Sequence, residues 1–272
     1  MKKGLFGSNH SAQMHSETEI PGINFTRETL EIIRFRYDFA SLYIKGKAVL
    51  EIGSSTGLGL KYLSRKAATV VGGEFSEENI RLCRELHGTK VTVVRMDAHR
   101  LPYPDCSFDV IVALAMVYCL RMDEFLAEAT RVLRPNGLLL FCMSNKDVSG
   151  FVPAPYTEKY YSVPDLSNIL RKAGFVPSFF GAFKAAGGSI FMSRARGIIK
   201  LLAKGLAHSI PGGKTVWLRI RRKTLGETFP LPNDISLIPP SDEKLILLEG
   251  TRKDFIHRVI YVNAQKFSVT ND

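Results

Sequence analysis

Residues 49–63 decide the fold, and their sequence is Val49-Leu50-Glu51-Ile52-Gly53-Ser54-Ser55-Thr56-Gly57-Leu58-Gly59-Leu60-Lys61-Tyr62-Leu63. A short apolar run that ends in an acid is typical of a buried parallel strand with a carboxylate at its carboxyl edge. The glycines that follow predict a tight turn, because they adopt backbone angles that a Cβ would forbid. An amphipathic helix is expected to start at Leu60. Such a unit places backbone N–H groups beside the crevice where open α/β sheets bind ligands.

The glycine turn alone does not identify the ligand, since nicotinamide and flavin folds use one too. Their fingerprint is Gly-x-Gly-x-x-Gly, and counting from Gly57 the third glycine position holds Tyr62. Glu51 also directs a carboxylate at the turn, where it would repel a pyrophosphate and attract an ammonium group. The stretch therefore favours a zwitterionic, cationic cofactor.

The same stretch resembles the first motif of the class I S-adenosylmethionine-dependent methyltransferases of the small-molecule type, an acid followed by Gly-x-Gly-x-Gly. Glu51, Gly53 and Gly57 match this motif, and Ser55 replaces the middle glycine. The resemblance covers roughly residues 27–181 and, weakly, the final strand. It implies a doubly wound, Rossmann-like α/β sheet of seven strands with a reversed last strand, and S-adenosyl-L-methionine as the cofactor.

Two later strands also end in acids. Glu74 follows Thr69-Val70-Val71-Gly72-Gly73 and lies about 20 residues beyond the turn, an offset that suits the ribose hydroxyls of an adenosine cofactor. A solvated acid at a strand end is the alternative. By resemblance, Phe75 lies against the adenine, Asp97 accepts from its amino group, and the N–H of Ala98 donates to a ring nitrogen. The predicted cofactor residues are Glu51, Gly53, Ser54, Ser55, Gly57, Glu74, Phe75, Asp97, Ala98 and Leu114.

The end of the fourth strand lacks the Asn or Asp, Pro-Pro and aromatic residues with which nucleic-acid amino methyltransferases hold a flipped base. Tyr118 stands where many small-molecule members carry histidines, so it is a weak catalytic candidate that could orient an acceptor or relay its proton; packing is the alternative. His99 maps to the adenine end. The general base is therefore not identified from the sequence.

Composition indicates an ordinary globular protein of 272 residues. Four scattered cysteines, at positions 83, 106, 119 and 142, have no metal-ligand spacing, and buried reduced thiols without a metal are expected. There is no apolar core of signal-peptide length and no run of membrane-spanning length, so a cytoplasmic location is expected.

The chain divides into four predicted segments. Residues 1–22 form a flexible arm, residues 23–181 the cofactor-binding core, residues 182–257 an insertion that caps the substrate, and residues 258–272 the final strand and tail. A helix is expected from Thr26 to Tyr43, with Thr26 as its N-cap. Tyr37 on this helix either touches the cofactor or packs in the core.

The net charge of +11 is concentrated in the insertion, where ten Lys and Arg residues lie between Ala182 and Gly226 without one acid. An amphipathic helix is expected from about Phe191 to Leu206. Three interpretations remain open: a docked helix with a solvated face, a site for an anionic acceptor, and a helix at a membrane surface that reaches a lipid-linked acceptor.

The resulting hypothesis is direct methyl transfer to an oxygen or nitrogen of a small-molecule acceptor, with anionic, sugar-linked and lipid-linked metabolites among the candidates. One rival is a cofactor-binding module without catalysis, suggested by Ser55 and the absent histidines. The other is a basic nucleic-acid-binding protein, against which the scarcity of aromatics among the basic residues argues.

Overall fold

A computed structural model of the chain describes residues 19–154, 157–185 and 227–267. The strands are β1 (Asn24–Thr26), β2 (Ala48–Ile52), β3 (Thr69–Glu74), β4 (Thr92–Arg95), β5 (Phe108–Leu114), β6 (Leu133–Ser144), β7 (Phe175–Lys184), β8 (Thr228–Pro230), β9 (Ile246–Leu248) and β10 (His257–Lys266). The helices are α1 (Arg27–Ser41), α2 (Leu60–Leu63), α3 (Glu77–His87), α4 (Met122–Val132) and α5 (Val163–Lys172).

The central sheet has the strand order β4-β3-β2-β5-β6-β10-β7-β9. Strands β2 to β6 are parallel to one another, whereas β10 runs antiparallel to both β6 and β7. The predicted doubly wound α/β sheet with a reversed last strand is thus confirmed. The predicted count of seven strands omits β9, which adds an eighth strand at the edge beyond β7. Its three residues are too few to show a period in the sequence.

Two hydrophobic clusters cover the two faces of the sheet. On the face that bears α1, Phe39 is almost fully buried, and its ring lies 5.1 Å from that of Tyr261 on β10. The helix begins as predicted, since the hydroxyl of Thr26 accepts from the N–H of Thr29 at 3.2 Å. This packing fixes α1 over the carboxyl ends of β5 and β6, which gives its inward side chains access to the site.

Strand β6 contains a segment with the composition of a turn. The residues Arg134-Pro135-Asn136-Gly137 are typical of a turn, but β6 begins before them, at Leu133. Phe108 pairs with Leu133 and Val110 pairs with Leu138, so the extra residues of β6 form a bulge. Asn136 takes a left-handed φ of 62° there, a conformation that asparagine tolerates better than most residues.

The start of β10 is fixed by a buried polar cluster. The side-chain amide of Asn145 donates to the carbonyl oxygens of Asp254 and His257 and to Asp254 Oδ2, at 2.7–2.9 Å. The carboxylate of Asp254 also accepts from the N–H of His257 and lies 3.0 Å from its ring Nδ1. These bonds hold the entrance of β10 between β6 and β7.

The last third of the predicted insertion packs on the core. Strand β8 pairs antiparallel with β1, and Leu231, Ile235 and Ile238 are buried beneath α1. The carboxylate of Asp234 forms ion pairs with Lys61 and Arg65, at 2.9 and 2.8 Å. Of the ten clustered basic residues only Lys184 is described; the other nine, and the helix expected near residues 191–206, lie outside the described residues.

Two expectations drawn from the composition concern the burial of the cysteines and membrane-spanning segments. Cys83 and Cys142 are buried free thiols as expected, but Cys106 is exposed, because it lies in the turn before β5 at a φ of 55°. None of the helices in the described part of the chain has the length and apolar character that a bilayer crossing requires.

Candidate functional site

The glycine turn after β2 is held in a left-handed path. Gly53, Ser55 and Gly57 have φ values of 70°, 52° and 76°. The N–H groups of Gly53 and Ser54 both donate to the carbonyl oxygen of Gly73 on β3, at 2.8 and 3.1 Å. The turn is thereby fixed to the neighbouring strand, with Ser55 in a region of backbone space that favours glycine.

Glu51 is a buried carboxylate with an unused acceptor. Its side chain lies on β2 and is only 1% exposed, and Oε1 accepts from the phenol of Tyr37 at 3.0 Å. Oε2 has no hydrogen-bond partner among the described residues. Burial raises the pKa of Glu51 to about 8, an effect that the charges of Glu19 and Glu74 increase, while the bond from Tyr37 opposes it. A cationic ligand would compensate this buried acid.

Tyr37 reaches Glu51 because Gly59 leaves room for its ring. A Cβ on Gly59 would lie 1.9 Å from Tyr37 Cε1, well inside van der Waals contact. The ring of Tyr37 is buried, in agreement with a packing role, and its hydroxyl bonds to Glu51; contact with the cofactor stays a prediction.

Glu74 supports the turn as well as ending β3. Its Oε2 accepts from the N–H of Ser55 and its Oε1 accepts from the N–H of Ser76, both at 2.8 Å. The side chain is buried, so the alternative of a solvated strand-end acid is wrong. Each carboxylate oxygen can accept a further hydrogen bond, which leaves Glu74 able to receive ligand hydroxyls.

Asp97 and His99 form a pair beyond β4. Asp97 Oδ1 accepts from the N–H of His99 at 2.9 Å and lies 2.6 Å from its Nδ1, and His99 Nε2 accepts from the N–H of Arg121 at 3.1 Å. Both ring nitrogens of His99 are therefore engaged, so neither is free to act as a base. Ala98 is buried beside them, and Phe75 after β3 is 47% exposed.

The residues after β5 form the opposite side of the cleft. Leu114 is half-buried at the end of β5, and the side chain of Met116 lies against Gly53, where a Cβ would be 3.0 Å from Met116 Cγ. The ring of Tyr118 stacks on that of Tyr160 with a centroid distance of 4.8 Å. Burial raises the pKa of Tyr118 above its ordinary value, so its phenol stays protonated and can donate a hydrogen bond.

The residues present fit a zwitterionic nucleoside ligand such as S-adenosylmethionine. Besides Glu51 Oε2, the hydroxyl oxygens of Ser54 and Ser55 are buried without a hydrogen-bond partner among the described residues. Unpaired polar atoms of this kind are costly unless a ligand pairs with them. All ten predicted cofactor residues lie at the carboxyl ends of β2 to β5, the edge where such sheets bind ligands.

One ion pair beside this cleft was missed from the sequence. Nη1 of Arg36, on α1, lies 2.6 Å from Glu19 Oε1, and the two side chains are 17% and 29% exposed. The carbonyl oxygen of Glu19 also accepts from the hydroxyl of Thr56 in the glycine turn, at 3.3 Å. Glu19 belongs to the segment predicted as a flexible arm. Arg36 and Thr56 are distant from Glu19 in sequence, so no local sequence pattern predicts these contacts.

The comparisons with known proteins agree with this geometry. Residues 50–141 match a family model described as "Methyltransferase domain". The chain is 39% identical over 151 residues to phthiotriol/phenolphthiotriol dimycocerosates methyltransferase 1 of Mycobacterium ulcerans. The match covers 52% of this chain and 56% of that protein. It is 38% identical over 102 residues to a fatty-acid O-methyltransferase of Mycolicibacterium smegmatis, which covers 36% of this chain and 37% of that protein.

The fold is shared with solved methyltransferase structures. The structure of a SAM-dependent methyltransferase from Archaeoglobus fulgidus superposes with a TM-score of 0.56 at 18% identity, covering 87% of this chain and 94% of that one. The chain spans only about half or less of the length of the curated relatives just described. Residues 50–141 thus match a methyltransferase domain, and the comparisons support a class I S-adenosylmethionine-dependent methyltransferase with S-adenosylmethionine as its cofactor.

Proposed function

We propose that the protein transfers the methyl group of S-adenosylmethionine to an oxygen or nitrogen of a small-molecule acceptor. The observation that carries this proposal is the buried carboxylate of Glu51, which keeps one oxygen without a partner beside the glycine turn. An acid in this position pairs with an ammonium group and repels a pyrophosphate, which favours S-adenosylmethionine over a dinucleotide.

Each predicted residue has a binding role in this proposal. Glu51 and the serines of the turn hold the amino-acid end of the cofactor, and Glu74 accepts from the ribose hydroxyls. Asp97 and Ala98 hold the adenine edge, and Phe75 and Leu114 provide apolar contacts. The bound cofactor supplies an electrophilic methyl group on a sulfonium. The protein's contribution is alignment, since a fixed donor and acceptor react far faster than free ones.

The described residues offer little general-base catalysis near the cleft. The phenol of Tyr118 stays protonated, and both ring nitrogens of His99 are engaged. Tyr118 therefore suits a role in orienting an acceptor by donating a hydrogen bond better than a role as a base. An acceptor that is already nucleophilic at neutral pH fits such a site.

The acceptor is proposed to be a lipid-like or other small molecule. The relatives described above are named for fatty-acid and phthiotriol dimycocerosate substrates. The basic insertion, residues 182–257, would cap this acceptor and attract its negative charge or that of a membrane surface to which it is attached. The cytoplasmic location expected from the sequence stays a prediction.

Calorimetric titration tests the proposed cofactor, and a methyl-transfer assay tests the reaction. We expect S-adenosylmethionine and S-adenosylhomocysteine to bind and NAD to bind at least tenfold more weakly. Tight NAD binding would contradict the assignment. A protein that binds the cofactor but methylates nothing in a broad panel of acids, alcohols, phenols and amines would instead be a binding module.

A further inference from the structure

A half-buried cation lies at the carboxyl ends of β5 and β6, where an acceptor would meet the methyl group. The guanidinium of Arg36 interacts electrostatically with the side chains of Tyr118, Cys142 and Tyr261. Cys142 on β6 pairs with Leu114, the last residue of β5. Arg36 precedes Tyr37, whose hydroxyl binds Glu51. The cation is therefore a neighbour of the cofactor residues and also of the candidate acceptor residue Tyr118.

Two donors in this place have no partner. Arg36 Nε and the hydroxyl of Tyr261 are buried and make no hydrogen bond among the described residues. Tyr261 is fully buried on β10 and interacts electrostatically with Arg36. Buried donors are expensive to leave unpaired, so two of them beside the candidate site indicate a ligand that accepts hydrogen bonds.

The only described partner of the Arg36 guanidinium is itself a carboxylate, that of Glu19. Glu19 comes from the segment that crosses the glycine turn, and it also interacts electrostatically with Glu51 and Tyr118. A guanidinium matches a planar carboxylate in geometry as well as charge. The carboxylate of Glu19 thus occupies the position that an acidic acceptor would take.

We propose that Arg36, assisted by Tyr261, binds the carboxylate of an acidic acceptor, that Glu19 is displaced when this acceptor enters, and that the product is a methyl ester. This inference rests on the proposed function. A carboxylate oxygen attacks the methyl carbon with a lone pair, the carbon–sulfur bond breaks, and its electrons stay on sulfur. An anion and a cation give two neutral products, and no proton moves. The reaction needs no general base, in agreement with the site.

The test uses carboxylate probes with the full chain loaded with S-adenosylhomocysteine. Acetate, octanoate and hexadecanoate are titrated calorimetrically, with octan-1-ol and octylamine as head-group controls. Glu19→Gln keeps the shape of the side chain and removes the competing charge, so at least one carboxylate should bind about tenfold more tightly to it. Glu28→Gln is the matched control, because Glu28 lies at the start of α1 and pairs with Arg258 on β10.

Two further variants test the cation and the hydroxyl. Tyr261→Phe should weaken carboxylate binding about tenfold while the melting temperature stays level or rises, because it removes an unpaired buried hydroxyl. Arg36→Lys keeps the positive charge but loses the planar, two-pronged guanidinium. It should bind the same probe at least tenfold less tightly. Arg34→Gln, on another face of the same helix, should not change the binding of the probe.

The outcomes separate this inference from the proposed function. Failure of S-adenosylhomocysteine to bind would overturn the proposed function itself. If the cofactor product binds, the inference fails when none of the three carboxylates binds more tightly to the Glu19→Gln variant than to the unchanged protein. It also fails when octan-1-ol or octylamine is methylated and no acid is. Methyl octanoate or methyl hexadecanoate detected by mass spectrometry would support it.

Discussion

The phenol of Tyr37 donates a 3.0 Å hydrogen bond to Glu51, a carboxylate that burial leaves with a pKa of about 8. In the unliganded protein Glu51 is therefore largely protonated at pH 7, and Tyr37 supplies the one described hydrogen bond to it. An incoming ammonium group favours the ionised form. Cofactor binding and proton release at Glu51 are thus linked.

We first predict that S-adenosylmethionine binding releases a proton at pH 7 and tightens as pH rises toward 8. The observed binding enthalpy should then depend on the ionisation enthalpy of the buffer. Glu51→Gln should remove most of this dependence and weaken binding by about 2–3 kcal/mol, the range for a hydrogen bond to a charged group. Glu19 and Glu74 also raise the pKa of this group, so the control is Glu77→Gln, which changes an exposed acid paired with Arg95. Equal buffer dependence in the Glu51→Gln variant would contradict the prediction.

Glu51→Gln should weaken cofactor binding, but it should raise the stability of the unliganded protein at high pH. Because folding raises the pKa of Glu51, the folded state binds the proton more tightly, and stability falls as pH rises from about 4.5 to about 8. At pH 9 the Glu51→Gln variant should be more stable than the unchanged protein, by up to about 5 kcal/mol at about 1.4 kcal/mol per pKa unit. Thermal unfolding at pH 5 and pH 9 checks this.

Glu74→Ala should weaken cofactor binding by about 2–4 kcal/mol, through loss of the ribose contact. Glu74 also accepts from the N–H groups of Ser55 and Ser76. We therefore expect an additional loss of about 1–3 kcal/mol in unfolding free energy, measured with urea. Glu77→Ala, an exposed acid paired with Arg95, should change neither quantity measurably.

Ser55→Gly should stabilise the protein by up to about 1 kcal/mol. A serine with left-handed backbone angles costs about 1–2 kcal/mol, and the extra freedom of an unfolded glycine offsets about half of that. Gly57→Ser is the contrasting variant, since its Cβ would lie 2.4 Å from Cys83 Sγ and should destabilise the turn. A destabilised Ser55→Gly variant in urea unfolding would show that the serine hydroxyl makes a contact the turn needs.

Asn145→Ala should lower the unfolding free energy by about 2–4 kcal/mol, because two buried carbonyl oxygens and the Asp254 carboxylate lose their shared donor. Urea unfolding measures the loss. Asn168→Ala, at an exposed position of α5, is a control outside this cluster. Cofactor affinity per folded molecule should be unchanged, since the cluster lies at the entrance of β10.

Charge reversal of Arg221 and Arg222 to Glu tests the proposed cap. If the acceptor or its carrier is anionic, acceptor use should fall while cofactor affinity is kept, and added salt should weaken the unchanged protein similarly. Sedimentation with anionic and neutral vesicles distinguishes a membrane-bound acceptor from a free one. Unchanged turnover together with unchanged vesicle binding would leave the basic residues as a solvated surface.

The sequence predicted those parts of the fold that have a local signal. The apolar runs ending in Glu51 and Glu74 correctly predicted two strands and the edge where the site lies, and Thr26 correctly marked a helix start. Features that depend on distant partners were missed, among them the short strand β9. The contacts of Arg36 with Glu19 and of Tyr37 with Glu51 also needed the folded arrangement, because neither spacing has a recurring pattern.

The pairing of β1 with β8 has a consequence for how the site responds to its ligands. Gly22 N–H donates to the carbonyl oxygen of Leu231, and Leu231 N–H donates to that of Ile23, so the end of the insertion is bonded to the chain between Glu19 and α1. Backbone hydrogen bonds therefore link the segment that carries Glu19 to the segment that ends the insertion. If the acceptor contacts the insertion as proposed, its binding is coupled to the position of Glu19, and displacement of Glu19 then changes acceptor affinity by the same factor.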